Sequence, residues 1–481
     1  MGTHDPILDT TIWSPSEKDH ATVRVSNEGT LIAASAGGGK TTCVGKTIAY
    51  GHLLARPKAG ALILTAKAEE TSNWISYATA CGRDKDLIVF DAEGGHVFDP
   101  LYYEFTRPGR GAGDIESIID LFSTLISIGK KESGQAHDPF WERGNEQLMR
   151  NVIKLLDLAG ERVSIASIDR VIKSLPTRPG EFEEETWQRQ SYCAQVIASI
   201  RARKDTLTEE EWSDLDFATQ YIFNKWPAFD ERPRSSLEMT WSGMADKFLF
   251  NPFNRLFCSG KCTFTPEMAT HEGKIIICDF PLLEYGHETG RLINVMIKLI
   301  FQRAWLRRNL AESPNPVFLW QDEFQYFVTR RDNFFQQTCR GSRVSVICLT
   351  QNILNLAEEL GEQQPGSRTK SFLGNFGTKI FLQQNDIDTC IYAADQIGKE
   401  YRYLDSWNAG SGGNQTHASV SGSKQLVHII EPIEFTRLMK PDASNPYAQG
   451  IVYMSGRAFN ATKTEQNPKG RNYLSVLFSR E

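Results

Sequence analysis

Ala34-Ser35-Ala36-Gly37-Gly38-Gly39-Lys40-Thr41 is the stretch on which the reading of this chain turns. It follows an apolar run, Leu31–Ala34, that reads as a buried strand, and it opens a helix that begins at Thr41. The pattern is G-x-x-x-x-G-K-[ST], with Ala34 standing where the first glycine is usual. Glycines let successive backbone N–H groups turn inward around phosphate oxygens, and the helix N-terminus adds its partial positive charge. Ser35, Ala36, Gly37, Gly38, Gly39, Lys40, Thr41 and Thr42 are therefore the candidate cradle for ATP. Lys40 would reach the β and γ phosphates, and the Thr41 hydroxyl would ligate Mg²⁺. A glycine-rich turn that binds nothing is the alternative, but three glycines and a lysine between strand and helix make an odd plain turn.

Working outward, a phosphate cradle needs acids, and Val317-Phe318-Leu319-Trp320-Gln321-Asp322-Glu323 supplies them at the end of an apolar strand. Adjacent residues on a strand point to opposite sides. Asp322 is assigned to the Mg²⁺ shell and Glu323 to the attacking water, one fixing the metal and the other orienting the nucleophile. One strand later, Val344–Thr350 ends in Gln351, which would sense the γ-phosphate or simply face solvent. Arg340 and Arg343 precede that strand. An arginine acting on a transferring phosphoryl group often comes from a neighbouring subunit, although on the residues alone a surface arginine is the commoner explanation.

Composition narrows the rest. The chain has 481 residues, 40% of them apolar, enough to bury a sizeable core without disulfide or metal. Its net charge is −6, so any nucleic acid must meet a local patch, a pore or a ring interior. The nine cysteines are scattered, with Cys258 and Cys262 the one close pair, and read as reduced core thiols. The nine histidines show no metal-ligand spacing, and no G-x-S-x-G elbow occurs, so the only metal expected is the Mg²⁺ that accompanies ATP. No stretch approaches the ~18 apolar residues of a membrane span, and Met1–His20 carries no apolar signal core. The expectation is a cytoplasmic chain that meets a membrane, if at all, through partners.

Strands at Leu31–Ala34, Ala61–Thr65, Leu87–Phe90, Lys274–Phe280, Val317–Gln321, Val344–Thr350, Lys379–Leu382 and Ile451–Met454 suit a parallel sheet buried on both faces. Between Phe140 and Phe250 the strand signal gives way to helices at Glu146–Leu158, Ser191–Arg203 and Ser236–Phe248. Asn408–Lys424, rich in Gly and Ser, reads as a loop, and Thr22–Val25 as a short strand. The fold class is α/β, a RecA-like P-loop NTPase sheet with an all-α insertion domain. Residues 1–30 form a lead-in, 31–139 and 251–481 the nucleotide-binding domain, and 140–250 the insertion. The acidic run Glu183–Glu185, the basic cluster Arg201, Arg203 and Lys204, and the tryptophans at 141, 187, 212, 226 and 241 are read as solvated faces and helix packing.

Taken together, these segments resemble the TraG/TraD class of type IV secretion coupling proteins, within the HerA/FtsK group of ring-forming P-loop ATPases. The resemblance rests on Ala34–Thr41, on Asp138-Pro139-Phe140-Trp141 and its helix, on Gln321-Asp322-Glu323-Phe324 and on Leu349-Thr350-Gln351-Asn352. It also rests on Gly374–Ile380 and Ile430–Phe435. An Arg eleven residues before the motif Gln is a feature of such proteins, which here is Arg340 and ranks it above Arg343. The family's D-P-K-G-E is replaced by Thr65-Ala66-Lys67-Ala68-Glu69, keeping Lys67 and Glu69, and the usual N-terminal membrane helices have no counterpart in this sequence.

The resemblance implies an ATP-hydrolysing motor with Mg²⁺, assembled as a homo-hexamer, that recruits and pumps DNA or nucleoprotein in conjugative transfer. Relaxase or secretion-channel proteins would be its partners. A soluble DNA translocase for packaging, defence or segregation, and an ATP-switched docking platform for secretion substrates, stand as alternatives.

Overall fold

The fold is described from a computed structural model covering residues 5–132, 139–412 and 415–480. Short β-branched and apolar runs cannot satisfy their backbone alone, and here they pair into one nine-stranded sheet. Its strands are β3 (Thr30–Ala33), β4 (Gly60–Leu64), β5 (Leu87–Phe90), β6 (Ile275–Cys278), β7 (Val317–Gln321), β8 (Val344–Thr350), β9 (Thr378–Phe381), β12 (Tyr447–Met454) and β13 (Tyr473–Ser479). Two further pairs lie outside it: β1 (Thr11–Ser16) with β2 (Asp19–Thr22), and β10 (Lys399–Gly412) with β11 (Gln415–His428).

The spatial order is β13-β12-β9-β3-β8-β7-β4-β6-β5. From β9 to β5 every neighbouring pair is parallel, and β12 and β13 add an antiparallel edge. The strand before the glycine loop, β3, is thus separated from the acid-tipped β7 only by β8. Ala33 pairs with Thr350 and Gln321 with Cys348, so all three strands end at one level. This is the RecA-like arrangement.

Alternation along each strand splits the core in two. Leu62, Leu64, Val317, Leu319, Val344 and Val346 face one side, and Ala61, Ile63, Phe318, Trp320, Ile347 and Leu349 face the other. The first side is continuous with the helices between β5 and β6, where no strand occurs among the described residues. Helices Pro139–Leu158, Tyr192–Ala202 and Glu231–Leu249 bury Leu148, Val152, Ile197 and Trp241 there. Ile115–Glu132 packs against the first and third of these and against the long helix His287–Arg307, tying the helical region to the sheet. Trp226 and Trp241 are fully buried, as packing residues should be, whereas Trp212 is exposed.

Two expectations change. Residues 22–25 do not form a strand: Asp19–Thr22 is the strand, and Val23–Ser26 is one helical turn. The β1–β2 hairpin before it buries Ile12 and Trp13 against the sheet's second core, with Trp13 5.8 Å from Phe478. Asn408–Lys424 is not a loop: β10 and β11 pair residue by residue from Lys399↔His428 to Gly412↔Gln415. Backbone pairing makes no demand for branched side chains, so the composition misled there. Residues 413–414 and Asp138 lie outside the described residues, so that part of the loop expectation and the head of the D-P-F-W segment have no counterpart to compare.

Candidate functional site at the carboxyl ends of the central strands

β3 delivers the chain to the glycine loop. Ala34 N–H donates to Thr350 O (3.1 Å), and Ser35 N–H to Gln383 O (2.8 Å), which fixes the loop's entry. The Ser35 hydroxyl also donates to the Gln383 side chain. Gly37 and Gly39 adopt left-handed backbone (φ 71° and 84°), open to glycine at little cost. A Cβ at Gly39 would lie 2.8 Å from that of Ala448, so the loop is also closely packed there. The helix after it begins with a wide, π-type turn, Lys40–Gly45, in which Val44 N–H reaches back to Gly39 O (3.3 Å); regular α-helix runs from Lys46 to Leu54.

Lys40 is buried, and its Nζ lies 2.9 Å from Asp322 Oδ1 and 2.9 Å from Glu323 Oε1. These are ion pairs without aligned hydrogen bonds. Burial opposes the ammonium charge, but the two carboxylates outweigh it and hold its pKa above the ordinary lysine value. The Thr41 hydroxyl donates to Asp322 Oδ2 at 2.7 Å. The structure therefore brings Lys40, Thr41, Asp322 and Glu323 together.

One geometric expectation is overturned. Asp322 and Glu323 do not diverge, because Glu323 is left-handed (φ 50°, ψ 47°) directly after the strand and swings its carboxylate back toward Lys40. The turn is secured locally: Glu323 N–H donates to Asp322 Oδ1 (2.9 Å). Gln325 Nε2 donates to Glu323 Oε2 (3.0 Å), and Gln351 Nε2 to Glu323 Oε1 (3.0 Å). Gln351 is thus at the site and not turned to solvent. Burial works against the charge on Glu323, but Lys40, Gln351 and Gln325 more than offset it and hold its pKa at about 2.

The remaining cradle residues are peripheral in this geometry. Ala36 O accepts from Lys440 Nζ (3.3 Å), and Thr42 is exposed. Arg340 and Arg343 are not brought to this site. They precede β8, whose seven residues span roughly 20 Å to Gln351. Arg343 is committed elsewhere, with Nη2 2.8 Å from Asp5 Oδ2 and Nη1 donating to Pro314 O (3.0 Å).

Sequence reasoning missed four participants. Gln325 had no motif to mark it. Lys440 and Gln383 come from distant segments and meet the loop only in the fold. Glu70 is the most informative: the family pattern pointed to Glu69, but Glu69 is exposed and Glu70 is buried. Its Oε2 accepts from Ala66 N–H (3.0 Å), while Oε1 has no hydrogen-bond partner. Burial, with the neighbouring charge of Asp322, raises its pKa well above the ordinary carboxylate range. Lys67 lies 3.4 Å from Glu323 Oε1.

Residues 316–440, which include Asp322, Glu323, Arg340 and Gln351, match the family described as the TraM recognition site of TraD and TraG. The match covers about a quarter of the chain. No curated protein sequence matches it. Among solved structures, the chain is similar to the plasmid coupling protein TrwB in complex with the GTP analogue GDPNP (TM-score 0.60, 12% identity, covering 98% of this chain and 90% of that one). It is similar also to TrwB in complex with ADP and Mg²⁺ (0.59, 12%, 98% and 89%) and to unbound TrwBdeltaN70 (0.56, 12%, 98% and 89%). At such identity the likeness establishes the fold. No helix among the described residues is long and apolar enough to cross a membrane.

Proposed function

We propose that this chain is an ATP-hydrolysing motor of the coupling-protein type. One observation carries the reading: the Lys40 ammonium, 2.9 Å from both Asp322 and Glu323, joins the glycine loop to the acid-tipped strand. The residues fit a nucleotide with Mg²⁺. Lys40 Nζ is buried with no aligned acceptor, left-handed glycines open the backbone in front of it, and Thr41 and Asp322 supply a hydroxyl–carboxylate pair of the kind that holds Mg²⁺.

Ser35 to Thr42 would wrap the phosphates, with Lys40 neutralising the β and γ groups. Thr41 and Asp322 would hold the ion, which supplies charge neutralisation on the phosphoryl oxygens. Glu323 would orient the attacking water. With its pKa at about 2 it stays ionised at neutral pH, so its part is to accept a hydrogen bond and align the water. Gln351, which donates to Glu323, would couple that carboxylate to the end of β8 and report on the γ-phosphate. Arg340 would act from a neighbouring copy, since it lies at the far end of its own strand.

The finer reading is recruitment and pumping of DNA or nucleoprotein in conjugative transfer by a homo-hexamer. TrwB, a conjugative coupling protein, has been solved in complex with GDPNP and with ADP and Mg²⁺, which supports that reading. Helices 140–250 would serve as the substrate-facing domain of each subunit. The description of the family matched by 316–440, a TraM recognition site, supports this segment as the one where a TraM-like partner would dock; a relaxase or secretion-channel protein would be a further partner. The protein would work in the cytoplasm, peripheral to the inner membrane through its partners. The test is ATPase rate with and without single- and double-stranded DNA, in wild type and Lys40→Ala. Loss of turnover in the variant and DNA stimulation of the wild type support the motor. Wild-type turnover by Lys40→Ala refutes the site.

A further inference from the structure

Three segments far apart in sequence meet at the sheet edge opposite the glycine loop. Glu28 precedes β3, Arg340 precedes β8, and Arg457 follows β12, which runs antiparallel and so ends at the same edge (Met454↔Thr378, beside Thr30↔Thr378). Both guanidiniums converge on one carboxylate. Arg340 Nη2 is 3.3 Å from Glu28 Oε1; Arg457 Nη2 donates to the same oxygen at 2.8 Å, and its Nη1 to Oε2.

The three line a pocket of about 560 Å³ together with Gln336. Gln336 is only 6% exposed, yet neither its side-chain amide nitrogen nor its oxygen has a hydrogen-bond partner. Glycines build the wall. A Cβ at Gly29 (φ 82°) would sit 2.0 Å from Gln336 Nε2, and one at Gly377 2.8 Å from Glu28 Cβ, so glycine at these two positions leaves the room that Gln336 and Glu28 occupy. Arg340 and Arg457 are 62% and 36% exposed at the side chain, and so open to an outside ligand.

Two guanidiniums sharing a carboxylate, beside an unpaired buried amide, form a receptor for a compact, multiply charged oxyanion. A phosphoryl group offers three oxygens where Glu28 offers two. It cannot be this chain's own nucleotide, because the glycine loop is at the other end of the strands. We infer that Arg340 and Arg457 together form an anion site for a phosphoryl group of nucleotide bound by a second copy of this chain, with Glu28 as its internal stand-in. The inference rests on the proposed ATPase reading and adds to it a second trans-acting cation, Arg457, and a positioning residue, Glu28.

The test is complementation between two defective full-length chains. Arg457→Ala should lower turnover by about 10²-fold, the scale for losing one preorganised donor to a developing charge, with nucleotide-analogue affinity at the Lys40 site kept. Arg457→Lys should recover part of the rate. Mixed in equal amounts with Lys40→Ala, Arg457→Ala should regain activity, because roughly a quarter of the interfaces in a random head-to-tail ring then pair an intact Lys40 with an intact Arg457. Glu28→Gln, which removes the competing charge, should lower the protein concentration at half-maximal ATPase several-fold, a readout that a merely structural Glu28 would not move in that direction. Full turnover by Arg457→Ala, or no gain on mixing, overturns the inference. So does an Arg457→Ala chain that loses only DNA binding. If Lys40→Ala itself turns over like wild type, it is the ATPase reading that has failed.

Discussion

Lys298 gives the sharpest quantitative expectation. It lies on the long helix His287–Arg307 with no solvent exposure, its Nζ 2.6 Å from Asp332 Oδ2 and also donating to Phe327 O. Asp332 has other donors: Thr329 N–H (2.7 Å), Thr329 Oγ1 (2.9 Å) and Gln302 Nε2 (2.8 Å). Burial already pulls the Lys298 pKa below 10.5, against the opposing charge of Asp332. In Asp332→Leu the ammonium keeps a single carbonyl and escapes by losing its proton. Deprotonating a lysine of pKa 10.5 costs about 4 kcal/mol at pH 7.5 and about 1.4 kcal/mol at pH 9.5. Losing the Thr329 contacts adds about 1 kcal/mol at either pH. The folded-state pKa of this base is depressed, so the penalty is full at low pH and fades as pH rises toward the unfolded value. Urea unfolding followed by tryptophan fluorescence should therefore show Asp332→Leu about 5 kcal/mol below wild type at pH 7.5 and about 2.5 kcal/mol below it at pH 9.5. Lys298→Met/Asp332→Leu, with no orphaned charge, should lie only about 1 kcal/mol below wild type, the cost of the Thr329 contacts, and equally so at both pH values. A pH-independent penalty, or a double variant as unstable as Asp332→Leu, would refute the account.

Three further outcomes follow from the geometry. Glu323→Gln should cut turnover by about 10²–10³-fold while nucleotide-analogue binding persists, since Lys40 retains Asp322; equal loss of both would reassign Glu323 to binding. Lys67→Ala should lower turnover less than about tenfold, because its ammonium is half exposed and screened by solvent; a loss as large as that of Lys40→Ala would contradict the assigned geometry. His52 is buried beside Ser26 (2.9 Å) and against Phe318, and burial pulls its pKa to about 3. Unfolding frees it to take a proton, so stability should fall by up to about 2 kcal/mol between pH 7 and pH 5. His52→Gln should flatten that slope, which urea titrations at the two pH values would check.

What the sequence made legible follows from where information is local. Strands such as Val317–Gln321 and Val344–Thr350 are apolar on both faces, and only a doubly covered sheet explains that, so their existence and bounds were readable. Their order was not, because neighbours are chosen by packing across the chain. β13 escaped notice as an edge strand with alternating exposure, and β10–β11 because its pairing lies in the backbone. At the site, Lys40, Asp322 and Glu323 stood out by motif. Glu70 did not: one residue separates it from the family's Glu position, and helix phase, which spacing in a loop cannot fix, decides which of the two points inward.

The convergence of two sequence-adjacent acids on one ammonium is itself a problem in strain. A non-glycine residue in left-handed backbone costs about 1 kcal/mol or more and persists only when its surroundings over-determine it. Glu323 is so determined by four side chains. Its own N–H is capped by Asp322, and its carboxylate is held by Lys40, Gln351 and Gln325; Gln325 in turn accepts from the Thr350 hydroxyl (3.0 Å) at the end of β8. The segment that follows, to Phe327 and Thr329, is anchored by Lys298 and Asp332. The tip of β7 is therefore set by residues of β8 and of the long helix as much as by its own sequence. A change at the Thr350 side chain, whose hydroxyl meets Gln325, or at Lys298 should reach the reaction by letting Glu323 relax toward ordinary extended backbone, where its carboxylate would turn away from Lys40.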